Sequence, residues 1–314
     1  MLTEEIKAVL RDRLPRSPIL AEHSEAGHFY RHVNSDRLLP SVTGIYGPLG
    51  KHDHLKAWAA KLAVEHWERN WRVGMSEDEK KLLRKACVLA HQDAFEEAGM
   101  VGNFGHDIIE QYLLQWIATG VRPTDIRTFV GHEDSRRWAI ARSAEQFCKD
   151  HNVTPIASEI LVASAKHGFA GTLDSLLMCG IPKEAGAMNC EHLWGRRSLS
   201  DPDKVICMKE GCGRKLDMKF TLGDWKSSNT IWGKDEYAAQ VSAYAAGLKE
   251  MTGLKPEVLL VVRLDKEKAK YEIAIVENPG AALKAFKACL KIHAWKNNGV
   301  DKLVPLVKKQ IIQI

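Results

Sequence analysis

The order of apolar segments after residue 154 constrains the fold of this chain more than any other feature. Short apolar stretches bounded by turn residues are typical of strands, and alanine-rich stretches with apolar residues every three or four positions are typical of helices. In chain order we predict three strands, a helix, two strands and a helix: PIASEILVAS, GFAGTLDSLLM, KFTLGDWKSS, KDEYAAQVSAYAAGLKEMTG, EVLLVVRLD, KYEIAIVEN and NPGAALKAFKACLKIHAWKNN. Because these elements must bury their apolar faces against one another, the pattern indicates an α/β fold, with a central mixed β-sheet flanked by helices.

The first half of the chain has the apolar spacing of helices from about residue 53 to 150. Ser76 is followed by Glu79 and predicts a helix start, and Gly99 and Gly120 predict helix ends. Before residue 50, a short helix and an irregular segment rich in proline and glycine are expected. We therefore divide the chain into an N-terminal helical region, 1–100, a core, 101–300, with a cysteine-rich insert, 179–218, and a C-terminal tail, 301–314.

Composition sets the class of protein. Of the 314 residues, 45% are hydrophobic and 27% are charged, which excludes a disordered or collagen-like chain. The formal net charge of +5 is compatible with a phosphate-bearing partner but does not identify one, because it does not report how the charges cluster. No apolar run approaches the ~20 residues that span a bilayer, and the first residues lack the pattern of a secretory signal. We expect a soluble protein of the cytoplasm that does not bind a membrane.

Two carboxylates and a lysine stand near the ends of predicted strands. Asp174 is predicted to end the apolar strand of GTLDSLL. Asp224 and Lys226, two residues apart in LGDWKSS, are predicted to end the third strand and to share one of its faces. If the two strands pair, the carboxylates converge, as is needed to hold a hard divalent cation. The alternative is that Asp174 caps a turn and that the other two residues form an exposed ion pair worth ~0–1 kcal/mol.

A set of short motifs between residues 102 and 250, about half of the chain, resembles the PD-(D/E)XK nuclease superfamily. The motifs in order are GNFGHDIIEQYL, SEILV, GFAGTLDSLL, LGDWKSS and YAAQVSAYAAGL. They are similar in particular to the RecB-like exonuclease branch, which has relatives among phage, mitochondrial and CRISPR-associated exonucleases. The resemblance implies a restriction-endonuclease-like core with an N-terminal helical region.

The resemblance also implies roles for individual residues. It implies metal ligands at His106, Asp174, Asp224 and the main-chain carbonyl of Trp225, a catalytic lysine at Lys226, and a DNA-contacting pair at Gln240 and Tyr244. Glu159 matches an acidic residue of the first strand, and is either a further metal ligand or a strand-end charge. Independently of the family, Gln240 and Tyr244 are four residues apart and share a helix face, and the Trp225 ring should point into the core by strand alternation.

The activity implied by the resemblance is that of a metal-dependent DNA exonuclease, using Mg²⁺ or Mn²⁺. It would act on DNA ends or single strands in replication, repair or recombination, in a bacterial or phage-infected cell, with a single-strand-binding protein or a recombinase as candidate partner. Two alternatives stay open. One is a structure-specific endonuclease or flap nuclease of the same fold, and the other is a catalytically inactive nucleic-acid-binding module.

The cysteine-rich insert carries a second pattern of metal ligands. Cys190 and His192 form a C-x-H pair, and Cys207 and Cys212 form a C-x4-C pair after fourteen intervening residues. Two short ligand pairs separated by a spacer are typical of a tetrahedral zinc site, in which Cys179 is an alternative ligand. Because four protein ligands leave no position for water, we expect a structural zinc ion. The alternative is a polar loop with incidental cysteines.

Overall fold

The computed structural model describes residues 3–14, 19–24, 27–32, 38–46, 52–131, 134–182, 192–198, 201–227 and 234–297. Over these ranges the protein is mixed α/β, with a central sheet flanked by helices. The strands of this sheet are β4 (Thr154–Ser164), β5 (Phe169–Pro182), β6 (Trp194–Ser198), β7 (Asp201–Cys207), β8 (Lys215–Ser227), β9 (Val258–Leu264) and β10 (Tyr271–Ile275). All the strands and helices predicted after residue 154 are confirmed.

The spatial order of the main sheet is β10-β9-β8-β5-β4. Neighbouring strands are antiparallel except β8 and β9, which run parallel from the Thr221–Val258 pair to the Ser227–Leu264 pair. A parallel pair needs a crossover connection, and the helix between the two strands provides it. The sheet is therefore mixed, as predicted, and β8 lies at its centre.

Helices cover both faces of the sheet. Their bounds are α1 (Thr3–Arg13), α2 (Val42–Ile45), α3 (His52–Asn70), α4 (Glu77–Thr119), α5 (Ser135–Asp150), α6 (Lys234–Thr252) and α7 (Pro279–Asn297), with a short 3₁₀ helix at Ile126–Phe129. One apolar core joins α1, α2, α6 and α7 to the sheet, and a second core joins the later part of α4 and α5 to the opposite face. Within the described ranges, no helix has the length and apolar character required to cross a bilayer.

Helix α4 confirms two of its predicted boundary residues and corrects a third. Ser76 and Glu79 form a reciprocal capping box, and Gly120 ends the helix with φ of 70° and an N–H bond to the Trp116 carbonyl. Gly99 does not end a helix, because it lies inside α4, which is 43 residues long. A glycine inside a helix costs only about 1 kcal/mol, and the helical apolar pattern resumes directly after it.

The N-terminal segment differs from its prediction as an irregular region. It contains a three-stranded antiparallel sheet, formed by β1 (Ile19–Ser24), β2 (Gly27–His32) and β3 (Leu38–Pro40). Tyr30 and Leu39 of this sheet are buried against Ala163 and Ala170 of the main sheet. These short strands depend on contacts with residues far along the chain, which local sequence patterns do not report.

The cysteine-rich insert is mostly strand where the structure describes it. Strand β5 continues into it as far as Pro182, β8 begins in it at Lys215, and β6 and β7 form an antiparallel ladder between them. Strand β7 pairs with the first residues of β8, and β9 pairs with the later residues of β8. The two strands follow each other along the same edge of β8. Strand pairing therefore orders the described part of the insert, where the alternative of a polar loop had no regular structure.

His151 is a buried histidine at the end of α5. Its ring stacks on Phe147 at a centroid distance of 4.8 Å, and its Nδ1 lies 2.7 Å from the Gly180 carbonyl oxygen. Burial lowers the pKa of His151; Arg214 and His192 lower it further, while the bond to Gly180 and the charge of Asp150 oppose the change. The folded protein thus favours the neutral imidazole.

We expect this histidine to make stability depend on pH. Below the ordinary histidine pKa of about 6.5, the unfolded chain binds a proton that the folded chain does not, so the free energy of unfolding falls as the pH falls. His151→Gln keeps a donor for the Gly180 carbonyl and removes the titration. Urea unfolding at about pH 7.5 and about pH 5 should show a smaller loss of stability in the variant. Equal losses in the two proteins would contradict the prediction.

Candidate active site

Three carboxylates form a row across neighbouring strands β4, β5 and β8. Glu159 lies between the Ser158–Ser175 and Ile160–Leu173 pairs, and is therefore opposite Asp174. On the other side of β5, Asp174 and Asp224 stand one position beyond the Ser175–Gly223 pair. Three acidic side chains from separate strands thus meet at one place in the sheet.

Asp174 lies inside β5 and not at the strand end that the sequence predicted, because β5 continues to Pro182, and it connects two elements of the site. Its Oδ2 accepts a hydrogen bond from the Trp225 main-chain N–H at 2.8 Å and lies 3.6 Å from Nδ1 of His106 on α4. Burial raises the pKa of Asp174, against the opposing influence of Lys226 and of the Trp225 bond. The structure therefore brings His106 from the preceding helix to the carboxylates, as the resemblance implied.

His106 is the imidazole of a three-residue group that can hold a metal ion. One ligand atom each from His106, Glu159 and Asp174 lies within 4.8 Å of the others. Burial and the Lys226 charge lower the pKa of His106, while Asp224, Asp107 and a hydrogen bond with the Trp225 main chain oppose the change. A neutral imidazole is the form that binds a metal.

Asp224 and Lys226 form a buried ion pair at the end of β8. The Lys226 Nζ lies 2.7 Å from Oδ2 of Asp224, whose side chain is only 1% exposed. Neither Asp224 oxygen has a hydrogen bond of good geometry from any residue that the structure describes. Burial and the neighbouring Asp174 raise the pKa of Asp224 to about 6, although Lys226 opposes the rise. The prediction of an exposed surface pair is excluded.

Glu159 is held in an unusual backbone conformation. Its φ is +50° in the middle of β4, a region that costs a residue other than glycine of order 1–3 kcal/mol. Burial and the charges of Asp174 and Glu110 raise the pKa of Glu159 to about 8. Both the strained backbone and the crowded carboxylates are compatible with a ligand position, and they distinguish Glu159 from an ordinary charge at a strand end.

Trp225 contributes its main chain to the site and its ring to the core. The ring is 2% exposed and packs edge-to-face on Phe147 at a centroid distance of 5.4 Å, in the core under α4 and α5. Its N–H bonds Asp174, and its main chain also bonds His106. The predicted packing of the ring is confirmed, and the role of the carbonyl as a metal ligand stays a prediction.

Gln240 and Tyr244 lie together on α6 as a buried pair. Gln240 Nε2 donates to the Tyr244 hydroxyl at 3.1 Å, while Oε1 has no partner among the described residues. The Tyr244 ring covers Gly171 of β5, where a Cβ atom would come within 2.5 Å of the ring. Burial and the charge of Asp174 raise the pKa of Tyr244. Tyr244 of α6 therefore lies near the Asp174 carboxylate of β5.

We expect Tyr244→Phe to destabilise the protein by about 1–3 kcal/mol, because Gln240 would keep a buried amide without its acceptor. Urea unfolding measures the change. Replacing both partners, with Gln240→Met added to Tyr244→Phe, should recover part of the loss, since an apolar pair leaves no unpaired donor. A single variant as stable as the wild type would show that this bond does not contribute to stability.

Two tyrosines near Lys226 were not predicted as site residues. Tyr46 follows α2; burial raises its pKa to about 12, with Lys226 and Asp224 among the charges that act on it. Tyr237 on α6 places its ring 5.3 Å from the Lys226 Nζ. The GIYG stretch that contains Tyr46 offered no spacing from which a role could be inferred. Such residues are found only when distant segments are brought together.

The cysteine-rich insert gathers a second group of ligands, formed by His192, Cys207 and Cys212, whose ligand atoms lie within 4.8 Å of one another. Although burial raises the pKa of Cys207, hydrogen bonds with His192 and nearby main-chain groups lower it to about 6. Cys190 lies outside the described residues, so its predicted role stays a prediction. Cys179 is buried instead in the core that also contains Leu177 and Cys148, and is not part of the group.

No family model and no curated protein sequence matches the chain. The donor set of the carboxylate group is one imidazole and several carboxylate oxygens, which suits magnesium or manganese. The buried Asp224 Oδ1, which has no hydrogen-bond donor among the described residues, is the kind of unsatisfied group that a bound cation compensates. The residues present therefore fit a divalent cation.

Proposed function

We propose that the protein is a metal-dependent DNA exonuclease of the RecB-like PD-(D/E)XK type, which hydrolyses phosphodiester bonds. The observation that carries the proposal is the convergence of His106, Glu159, Asp174, Asp224 and Lys226 from α4, β4, β5 and β8. A buried cluster of several acids and one lysine is costly to maintain. Its presence favours a catalytic site over an inactive nucleic-acid-binding module.

In this proposal, His106, Asp174, Asp224 and the Trp225 carbonyl hold the cation, and Glu159 joins them. A bound Mg²⁺ or Mn²⁺ supplies a Lewis acid for the phosphate oxygens and lowers the pKa of a bound water. The chain itself fixes the ligands. The Trp225 N–H orients Asp174 at 2.8 Å, and the packed Trp225 ring holds that part of β8 in place.

Lys226 has the role of a fixed positive charge. Burial alone would lower its pKa, but Asp224 and Asp174 outweigh burial and raise it. A pKa raised in this way favours the protonated ammonium. It can donate hydrogen bonds to the attacking water or to a phosphate oxygen, which stabilises the negative charge that develops during hydrolysis.

The direct test is cleavage of DNA labelled at either the 5′ or the 3′ end, in single-stranded and duplex form, with Mg²⁺, with Mn²⁺ and with chelator. We expect metal-dependent shortening from an end. Internal cuts on circular or end-blocked DNA would instead favour the structure-specific endonuclease. The absence of cleavage of every substrate with either metal would contradict the proposed function.

Metal binding can be measured apart from cleavage. A ligand that binds only the folded state raises stability by about 2.7 kcal/mol at a hundred times its dissociation constant. We expect Mn²⁺ to raise the melting temperature of the wild type, and to raise that of Asp174→Asn much less. Glu250→Gln is the matched control. It changes a carboxylate near the C-terminal end of α6 that accepts a hydrogen bond from Ser164 of β4, and it should respond like the wild type. Equal responses of all three proteins would contradict metal binding at Asp174.

A further inference from the structure

The ligand group formed by His192, Cys207 and Cys212 lies where the β6–β7 ladder meets the start of β8. His192 and Leu193 lead into β6, while Cys207 ends β7 and Cys212 lies in the turn that leads to β8. Main-chain bonds close this turn: the Cys207 N–H donates to the Arg214 carbonyl at 2.8 Å, and the Met208 N–H donates to the Leu193 carbonyl at 2.7 Å. Three segments thus bring their sulfur and nitrogen atoms to one point.

We propose that these three residues bind a zinc ion that stabilises the fold; the fourth ligand predicted from the sequence, Cys190, lies outside the described residues. Two thiols and an imidazole are the donors that zinc prefers, whereas the acidic group around Asp174 offers oxygen. With Zn–S of about 2.3 Å and Zn–N of about 2.0 Å at a tetrahedral angle, sulfur and nitrogen ligands lie about 3.5 Å apart. Cys212 Sγ and His192 Nδ1 are 3.5 Å apart. This pair therefore has the spacing of zinc ligands, and the Cys207 sulfur lies within 4.8 Å of both atoms.

The backbone of the turn also suits the site. Gly211 has φ of +74° and Gly213 has φ of +56°, conformations that favour glycine, and they stand on either side of Cys212. This pair of left-handed residues turns the chain back so that Cys212 faces the ladder that carries Cys207. A disulfide between the two cysteines would use the same proximity, but it would leave His192 without a role.

The zinc ion has no part in the chemistry proposed for the carboxylates. Ile206 pairs with Lys215, and nine positions of β8 separate Lys215 from Asp224. At about 3.3 Å for each residue, the two groups are about 30 Å apart along the strand. The zinc ion instead fastens the β6–β7 ladder to the beginning of the strand whose other end carries Asp224 and Lys226.

Metal analysis of the purified chain tests this proposal without any nuclease assay. We expect about one zinc ion per chain in the wild type, and loss of that zinc in Cys212→Ser and His192→Ala. Cys87→Ser makes the same chemical change on α4, outside the group, and should retain the ion. Loss of the zinc should lower the melting temperature by roughly 5 °C or more.

A second measurement does not depend on how the variants fold. Wild-type protein loaded with Co²⁺ in place of zinc should show sulfur-to-cobalt charge-transfer absorption and the strong visible bands of a tetrahedral site. Folded wild type that binds neither metal, a spectrum without sulfur ligation, or a thiol count showing a disulfide between Cys207 and Cys212 would each overturn the proposal. Retention of the zinc by folded Cys212→Ser and His192→Ala would overturn it as well.

Discussion

We expect Lys226→Met to cleave DNA at least about 10²-fold more slowly than the wild type, which is the usual cost of removing one group that stabilises transition-state charge. Lys226 is the cation closest to Asp224, at 2.7 Å, and is 18% exposed, so that it has limited access to solvent. Asp224→Asn should cause a loss of at least the same size, because an amide neither carries the charge of a metal ligand nor balances Lys226. Rates of release of labelled nucleotides with saturating Mn²⁺ measure both effects.

The controls for these variants lie on the same strand. Lys219→Met removes a lysine that is exposed and paired with Glu257 at 3.0 Å, and Asp217→Asn removes a half-buried carboxylate near the start of β8. Both should cleave within about two-fold of the wild type, because surface ion pairs contribute little. Full activity of Lys226→Met would show that this ammonium does not act in the reaction.

Folding must be separated from chemistry in this experiment. Lys226→Met leaves the Asp224 carboxylate buried without its cation, and a broken buried pair can cost about 3–5 kcal/mol. The double variant, with Asp224→Asn added, removes both charges and should be the more stable protein. If the folded double variant is also inactive, lost stability does not explain the loss of cleavage. Normal cleavage by the double variant would refute the roles of both residues.

The second large effect concerns the core beneath the site. We expect Phe147→Ala to reduce the free energy of unfolding by about 3–5 kcal/mol, the usual cost of deleting a buried aromatic ring. Phe147 is fully buried, and its ring packs edge-to-face on Trp225 and Tyr271 at centroid distances of 5.4 and 5.5 Å. The loss includes both the burial of the ring and these aromatic contacts. Urea unfolding monitored by circular dichroism measures it.

Phe95→Ala is the matched control for this prediction. Phe95 lies on α4 with 62% of its surface exposed, so the same deletion should change stability by no more than about 0.5 kcal/mol. A similar, small loss in both variants would show that the core under Trp225 is not tightly packed. Because Trp225 bonds Asp174 through its main chain, Phe147→Ala should also reduce cleavage, even where the protein remains folded.

The sequence predicts five strands after residue 154 because each is a short apolar run between turn residues, and two helices because their apolar residues recur every three or four positions. It also predicts that Asp224 and Lys226 are neighbours, since strand alternation is a local rule. The row formed by Glu159, Asp174 and Asp224 depends on strand register, which is set by pairing between distant segments. Tyr46 reaches the site by tertiary contact alone, and no local pattern could reveal it.

The difference between local patterns and contacts between distant segments also explains the errors in the N-terminal half and the insert. Gly99 resembles a helix end in sequence, yet a glycine ends a helix only where the following residues leave the helical conformation and cap it. The strands β1 to β3 and the β6–β7 ladder are short, and their stability comes from neighbours far away in sequence. The spacing of residues in the sequence therefore does not predict these strands.

The unbroken helix α4 has a mechanical consequence. Its 43 residues extend about 65 Å, and His106 lies in its final third, beside the carboxylates. The first part of α4 packs with α3, away from the sheet. Because α4 is continuous from its contacts with α3 to His106, a displacement of the α3–α4 pair would also move the imidazole relative to the carboxylates of the sheet. The position of one ligand is therefore coupled to a part of the protein that lies outside the site.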